Sequence, residues 1–293
     1  TVQDYVINGY QDNGTAVFES SGWTTVLGGD GMDCLIDYSD PTYSYGEYYY
    51  GSIIRMSNNY YEGSIVGGIS EDGAWVTPYI LHETDPSTMF VGMTNVWRTN
   101  NVKEDFTSGI EWQQISDNIG SAKVAALENS PANPDILYVA KSSQLYRSDD
   151  SNGESPSFVD LSSNIPGSGA VSHIESHPLD ENVVYITRGD GVYKSEDKGS
   201  NWEDITGTLP EVNMNTLEFY ENSQEALYVG SDIGIYYRDA SMDDWIEFSE
   251  GFPATATVTD IEFFYDPDSV SNDLIRASTY GRGLWESGLY YSE

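Results

Sequence analysis

The chain has 293 residues, enough for one large repeat domain or two ordinary ones. Asp and Glu number 48 against 12 Lys and Arg, a formal net charge of −36, which repels phosphate backbones and anionic lipid surfaces and excludes nucleic acid as a partner. The single cysteine, Cys34, excludes an intrachain disulfide, and no apolar run approaches the roughly 20 residues of a membrane-spanning helix.

The 23 Tyr and 28 Gly are the mix of a β protein with many tight turns. The best helical stretch is 121–127. In chain order, a short β-rich run, a polar or Gly-containing turn and a second run recur seven times, at 5–20, 43–57, 89–99, 137–148, 184–195, 227–239 and 275–287. The large residues anchoring the second runs are Phe18, Ile54, Trp97, Tyr146, Tyr193, Tyr236 and Trp285. They lie 36, 43, 49, 47, 43 and 49 residues apart, the size of one four-stranded propeller blade.

Each copy but the first is preceded by another alternating run, for example 32–38, 76–81, 171–176, 216–220 and 259–264. Several of these end in a Pro turn such as Asp85-Pro86 or His177-Pro178. We read them as the inner strand A of each blade, the repeated unit as strands B and C, and the segments holding Trp23, Trp112, Phe158, Trp202 and Trp245 as the outer strand D. The expected fold is all-β, a single β-propeller domain over 1–293 with seven four-stranded antiparallel blades. The first blade lacks its inner strand, which would come from residues upstream of Thr1. No secretory leader begins at Thr1, so a secreted protein would carry its leader upstream or have lost it.

The segment Ser195-Glu196-Asp197-Lys198-Gly199-Ser200-Asn201-Trp202 is similar to the Asp-box, S-x-D-x-G-x-x-W, of BNR-repeat propellers in sialidases, sortilin-type proteins and xyloglucanase-like hydrolases. Ser195 opens the motif, Asp197 would accept backbone N–H groups of the C–D turn, Gly199 would supply a positive φ, and Trp202 would pack between blades. Ser148-Asp149-Asp150 with Phe158, and Asp239 with Trp245, are degenerate copies. Across nearly the whole chain, Gln11-Asp12-Asn13-Gly14-Thr15, Gly28-Gly29-Asp30-Gly31, Tyr45-Gly46-Glu47-Tyr48 and Thr279-Tyr280-Gly281-Arg282-Gly283-Leu284-Trp285 resemble large secreted propeller proteins of Bacteroidetes. Many of those are exported by the type IX secretion system. The resemblance implies an extracellular or cell-surface bacterial protein and a longer, multidomain polypeptide.

Antiparallel blades gather the B–C turns and D–A connections on one face. That face collects Gln11, Asp12, Asn13, Asp30, Glu47, Tyr48, Tyr49, Tyr50, Arg188, Asp190, Asp232, Tyr280 and Arg282 as candidate ligand-binding residues. Three readings compete for them. The acidic residues close their own turns. Alternatively, Tyr48, Tyr49, Tyr50 and Tyr280 offer stacking faces for sugars while Asp12, Asp30 and Glu47 accept hydroxyls. Alternatively, two carboxyls among Asp12, Asp30 and Glu47 flank a glycosidic bond at roughly 5–10 Å and hydrolyse it.

A sialidase would need three converging arginines. Arg55, Arg98, Arg147 and Arg238 share one repeat position, which marks a scaffold role, and no sequence argument gathers Arg188, Arg276 and Arg282. His82, His173 and His177 show no zinc-ligand spacing, so packing is their expected role. Asp266, Asp268 and Asp273 offer oxygens to Ca²⁺, the one ion expected, with a solvated loop as the competing reading. The sequence thus points to a non-catalytic module binding glycan or protein. A glycoside hydrolase and a structural component of a surface assembly are the alternatives.

Overall fold

A computed structural model describes residues 3–20, 22–106, 109–117, 119–223 and 225–290. These residues form 26 strands and two 3-10 turns, Ser162–Asn164 and Val270–Asn272, with no α-helix among them. The strands make seven antiparallel sheets, each a meander of sequence neighbours. The fold is a seven-bladed β-propeller. The described chain falls into two compact units, Thr1–Lys141 with Tyr146–Asp160, and Ser142–Leu145 with Leu161–Glu293.

The first unit holds three sheets and most of a fourth. Sheet one is β1 (Val6–Tyr10), β2 (Gly14–Glu19) and β3 (Gly22–Leu27); sheet two is β4 (Cys34–Ile36), β5 (Tyr43–Glu47), β6 (Ile53–Ser57) and β7 (Tyr60–Ser64). Sheet three is β8 (Tyr79–Leu81), β9 (Met89–Gly92), β10 (Val96–Thr99) and β11 (Gln113–Gln114); sheet four is β12 (Ala126–Asn129), β13 (Leu137–Lys141), β14 (Gln144–Ser148) and β15 (Val159–Asp160).

The second unit holds the other three. Sheet five is β16 (Val171–Ser176), β17 (Val184–Arg188), β18 (Gly191–Ser195) and β19 (Glu203–Asp204); sheet six is β20 (Met214–Tyr220), β21 (Ala226–Ser231), β22 (Gly234–Arg238) and β23 (Ile246–Glu247). Sheet seven is β24 (Val258–Phe264), β25 (Leu274–Thr279) and β26 (Gly283–Gly288).

All seven repeated units are therefore B–C hairpins. Among the described residues, sheet one has three strands and no inner one, as expected. Two expectations need correction. The stretch 121–127 is not helical: Ala125 N–H donates to the Ala140 carbonyl at 2.8 Å and Ala126 pairs with Ala140 in a strand ladder. Its apolar residues are spent on a sheet face. The outer strand of sheet two, β7, escaped notice because its Tyr-Tyr-Glu-Gly-Ser run is exposed almost throughout and carries no core alternation.

One column of the repeat explains the stacking. The second or third residue of strand B is a fully buried ring in five sheets: Tyr45, Phe90, Tyr138, Tyr185 and Tyr228. In the first unit Tyr45 packs with Met89 and Val91 of sheet three, and Phe90 with Leu127 and Val139 of sheet four. In the second unit Tyr185 packs with Leu217 and Val229 of sheet six, and Tyr228 with Ile261 and Ile275 of sheet seven. Truncating such a ring to Ala costs about 3–5 kcal/mol.

The shared arginine position has a structural role, as expected. Arg55 Nη1 donates to the carbonyls of Val102 and Glu104, and Arg98 Nη1 to those of Ser151 and Gly153. Each guanidinium reaches the C–D turn of the next sheet. At the matching place in sheet five, Lys194 Nζ meets Glu225 of sheet six at 2.7 Å.

Side chains close the turns. Asp197 Oδ1 accepts the Asn201 N–H at 2.7 Å, and Ser195 Oγ accepts the Gly199 N–H at 2.8 Å, with Gly199 at φ +81°. Asp150 Oδ1 likewise accepts the Ser157 N–H, and Asn101 Oδ1 the Glu111 N–H. In each case the accepted N–H immediately precedes the aromatic residue: Trp202, Phe158 or Trp112. Trp112 Nε1 donates to the Ile65 carbonyl and Trp245 Nε1 to the Ile205 carbonyl, both at 2.7 Å, so these indoles bridge neighbouring sheets.

At the A–B turns, His82 Nδ1 accepts the N–H groups of Thr84 and Asp85, and His177 Nδ1 those of Leu179 and Asp180. Two of the three histidines are turn caps that work only as neutral imidazoles.

Replacing Arg98 with Met strands two carbonyls of the neighbouring turn and should lower the unfolding free energy by about 2–3 kcal/mol in urea titrations. The caps give a pH prediction. Burial holds both His82 and His177 below the ordinary imidazole range, against the opposing pull of Asp85 and Asp180. The unfolded chain then binds more protons, so their contribution is complete above about pH 6.5 and is lost as pH falls through the lower folded values. The double variant His82→Asn/His177→Asn should show a flatter stability profile than the wild type between pH 7.5 and 5, measured by urea unfolding.

Candidate functional site

In the first unit, the β1–β2 turn, the β3–β4 connection and the β5–β6 turn meet at an open cleft of about 450 Å³. It is lined by Asp12, Gly29, Asp30, Tyr48, Tyr49 and Ser52. The approach of the first two segments is set by backbone. Gly31 N–H donates to the Tyr10 carbonyl at 3.1 Å. A Cβ at Gly31 would stand 2.2 Å from the Gly14 carbonyl oxygen, so no larger residue allows this crossing. Asp30 is thereby held over the turn, where its Oδ1 accepts the Asp12 N–H at 2.9 Å. Asp12 itself adopts φ +63°, a left-handed turn position.

An aromatic platform adjoins the cleft. Tyr49 and Trp75 lie nearly parallel, with centroids 5.3 Å apart and planes 5° apart, and Tyr50 stands edge-on to both. The three rings are 44%, 50% and 41% exposed for Tyr49, Tyr50 and Trp75. Such surface is costly to leave in water, and the parallel pair offers flat faces to a ligand.

Trp75 sits on the loop between β7 and β8, which three contacts tie down. Gly73 N–H donates to the Tyr50 carbonyl at 3.0 Å. Glu71 accepts from Asn95 at its backbone N–H, 2.8 Å, and at its side-chain amide, 2.6 Å. Glu47 supplies the third contact. Its carboxylate accepts the Gly51 N–H at 2.8 Å and the Thr77 N–H at 2.9 Å, joining the β5–β6 turn to the end of the Trp75 loop.

Glu47 therefore corrects one expectation. It is completely buried and faces backbone rather than the cleft, so it positions the platform and does not accept a ligand's hydroxyl. Desolvation pushes its carboxyl above the ordinary range, against the pull of the Thr77 and Gly51 N–H groups.

The other candidates are distributed as follows. Gln11 and Asn13 are exposed beside Asp12, and Asn13 Nδ2 donates to the Gln11 carbonyl. In the second unit, the Arg188 guanidinium donates to the carbonyls of Gly169, Ile165 and Pro166, and Asp190 is exposed at the same turn. The Asp232 carboxylate accepts from Asn213 and Asn215. Tyr280 and Arg282 are exposed.

The acidic loop of sheet seven uses its oxygens internally. Asp273 is buried and accepts from Tyr220, Asn222 and the Asp266 N–H, while Asp266 accepts the N–H groups of Asp268 and Ser269. These carboxylates cap a turn; Asp266, Asp268 and Asp273 do not converge on a common point.

The convergent group lies elsewhere in the second unit. One ligand atom each from His173, Glu175 and Glu218 falls within 4.8 Å of the others. His173 Nε2 is 3.5 Å from Glu218 Oε1, its Nδ1 is 3.4 Å from Thr216 Oγ1, and Glu175 Oε1 accepts the Phe219 N–H at 3.0 Å. Desolvation lowers the His173 imidazole to about 4. The next inner strand carries Asp260 and Glu262, both shifted upward by desolvation, Glu262 also by the charge of Asp260.

Sequence reasoning missed this group and Trp75. A visible signal existed for the first: Glu128, Glu175, Glu218 and Glu262 follow Leu127, Ile174, Leu217 and Ile261 at one position of four inner runs. Trp75 lies in a loop outside the repeat.

No family model matches the sequence, and no curated protein does. Solved structures do. An ancestral GH74 enzyme superposes with a TM-score of 0.68 at 17% identity, covering 98% of this chain and 38% of that one. The GH74 xyloglucanase from Xanthomonas campestris gives 0.66 at 12% identity, covering 97% and 45%. The extracellular domain of BT4673 from B. thetaiotaomicron, assigned as a one-component system, gives 0.68 at 14% identity, covering 98% and 39%. They establish the propeller fold. This chain spans less than half the length of each of the three.

If Glu47 holds the platform, Glu47→Gln should place an amide N–H against a backbone N–H. It should cost about 1–3 kcal/mol in urea unfolding and change the Trp75 emission in a background where the other tryptophans are controlled by Trp75→Phe.

Proposed function

We propose that this chain is a non-catalytic, extracellular propeller module that binds a neutral glycan chain in the cleft of Asp12, Asp30, Tyr48 and Tyr49. One observation carries the reading: the open cleft runs up to the exposed Tyr49–Trp75 pair, whose parallel rings are held in place by buried contacts. Sugar rings present flat C–H faces that pack on aromatic planes, and their hydroxyls donate to carboxylates. No Lys or Arg lines the cleft, so anionic sugars would meet only negative charge there. Preorganised rings and turns lose little entropy on binding.

The GH74 likeness supports a glycan ligand, and the extracellular nature of a third structural neighbour supports an external location. The Asp197 turn, closed by Ser195 and Gly199 around Trp202, supports membership of the Asp-box repeats. The resemblance of segments 11–15, 28–31, 45–48 and 279–285 to secreted Bacteroidetes propellers supports a secreted bacterial origin with type IX export. A second reading rests on Asp12 and Asp30 lining one cleft, which is the minimum a glycoside hydrolase requires.

Affinity electrophoresis and calorimetry against soluble neutral polysaccharides, xyloglucan and mixed-linkage glucan among them, test both. Binding is expected, with Tyr49→Ala and Trp75→Ala each weakening it about tenfold or more, a loss of about 1.4 kcal/mol. No reducing ends should be released over long incubation. Turnover abolished by Asp12→Asn or Asp30→Asn would favour the hydrolase, and absence of binding to any neutral glycan would refute the module.

A further inference from the structure

We propose that His173, Glu175 and Glu218 form a binding site for a divalent transition-metal ion of the Zn²⁺ type on the inner strands of the second unit. The residues come from two neighbouring strands, β16 and β20, and are half-buried, and their ligand atoms lie within 4.8 Å of one another. Among the described residues no other three His, Cys, Asp or Glu side chains converge this way.

The donor set selects the ion. Two carboxylates alone suit Ca²⁺ or Mg²⁺ as well as anything else, whereas an imidazole nitrogen added to them favours Zn²⁺ and its neighbours in the first transition row. Ca²⁺ takes six to eight oxygens, more than these residues supply.

His173 is also unexplained by the scaffold. The corresponding place in the other inner runs is filled by Ala126, Thr216 and Asp260, while the adjacent core position keeps Leu127, Ile174, Leu217 or Ile261. The blade thus folds without an imidazole there. Unlike His82 and His177, His173 caps no turn.

Its ring is nevertheless oriented. Thr216 Oγ1 lies 3.4 Å from Nδ1 and the opposite nitrogen, Nε2, points toward Glu218 at 3.5 Å. A hydroxyl can donate or accept, so it accommodates the tautomer in which Nε2 carries the lone pair for a metal. Such outer partners fix the ring for coordination. The rigid β16 and β20 ladders hold the remaining two ligands. In that tautomer the single ring proton sits on Nδ1, beside Thr216 Oγ1, and the Nε2 lone pair is left for the ion.

The test uses the full chain stripped with a chelator and titrated with ZnCl₂ by calorimetry. The expected result is one saturable site with micromolar affinity, weakened at least tenfold in His173→Ala and in Glu218→Gln and unchanged in His177→Ala. CaCl₂ should not compete. Circular dichroism of each variant guards against misfolding. Co²⁺ added to the unaltered protein gives an independent readout: visible absorption bands displaced by Zn²⁺ are expected. Absence of saturable Zn²⁺ binding to the wild type overturns the proposal, as does equal affinity in folded His173→Ala. Neither result touches the glycan cleft, which lies in the other unit.

Discussion

A sheet of three or four short strands cannot stand alone, and within each unit a buried ring on strand B packs sheet two on three, three on four, five on six and six on seven. Tyr45, Phe90, Tyr138, Tyr185 and Tyr228 are each at most 1% exposed. They recur in five of the seven sheets, and for Tyr45, Phe90, Tyr185 and Tyr228 one side of strand B is covered by the strands A and B of the neighbouring sheet in the same unit. The cationic residue on strand C and the outer indoles then fasten the periphery. Arg98 and Trp245 do so by donating to carbonyls of an adjacent sheet. Backbone groups at sheet margins are costly when buried unpaired, so the polar column is as much a part of the stacking as the aromatic one.

On that base the surface loops acquire fixed shapes. The platform is a case in which a buried charge is used for position. Glu47 pays a desolvation cost and recovers it through two backbone N–H groups on different loops. The result is that Tyr50, at φ +53°, and Trp75, on a loop from another connection, keep their relative orientation. The carboxylate does its work without touching the cleft.

Much of this was legible in the residue order because the repeat is enforced by local chemistry. The B–C hairpins, the arginine position and the Asp197 turn all depend on residues close in sequence or on the same strand position. Asp12, Asp30, Tyr48 and Tyr49 were readable as turn residues of one face, and they do meet. What stayed hidden depends on distance along the chain. Trp75 reaches Tyr49 because Glu47, Glu71 and Gly73 tie its loop to the β5–β6 turn and to Asn95. His173 and Glu218 are brought together by the packing of two strands from different repeats, and no local motif records that. Glu47 looked like a turn-tip acceptor because its neighbours in sequence are exposed tyrosines, yet strand alternation carries it inward. The short strands β11 and β15 and the exposed β7 lack apolar alternation for the same reason they can exist: they are outer strands with little to bury.

The C–D turns of sheets three, four and five hold a further consequence. In each, one side-chain oxygen near the start accepts the N–H just before the aromatic residue, across 10, 7 and 4 positions respectively. The closing bond is kept while the enclosed segment more than doubles in length. The entropic charge for lengthening such a closed loop grows only logarithmically, so the geometry of the blade is indifferent to what is spliced between the two ends. The periphery of this scaffold is therefore a place where foreign peptide can be grafted, or lineage-specific decoration acquired, with the stack beneath left undisturbed.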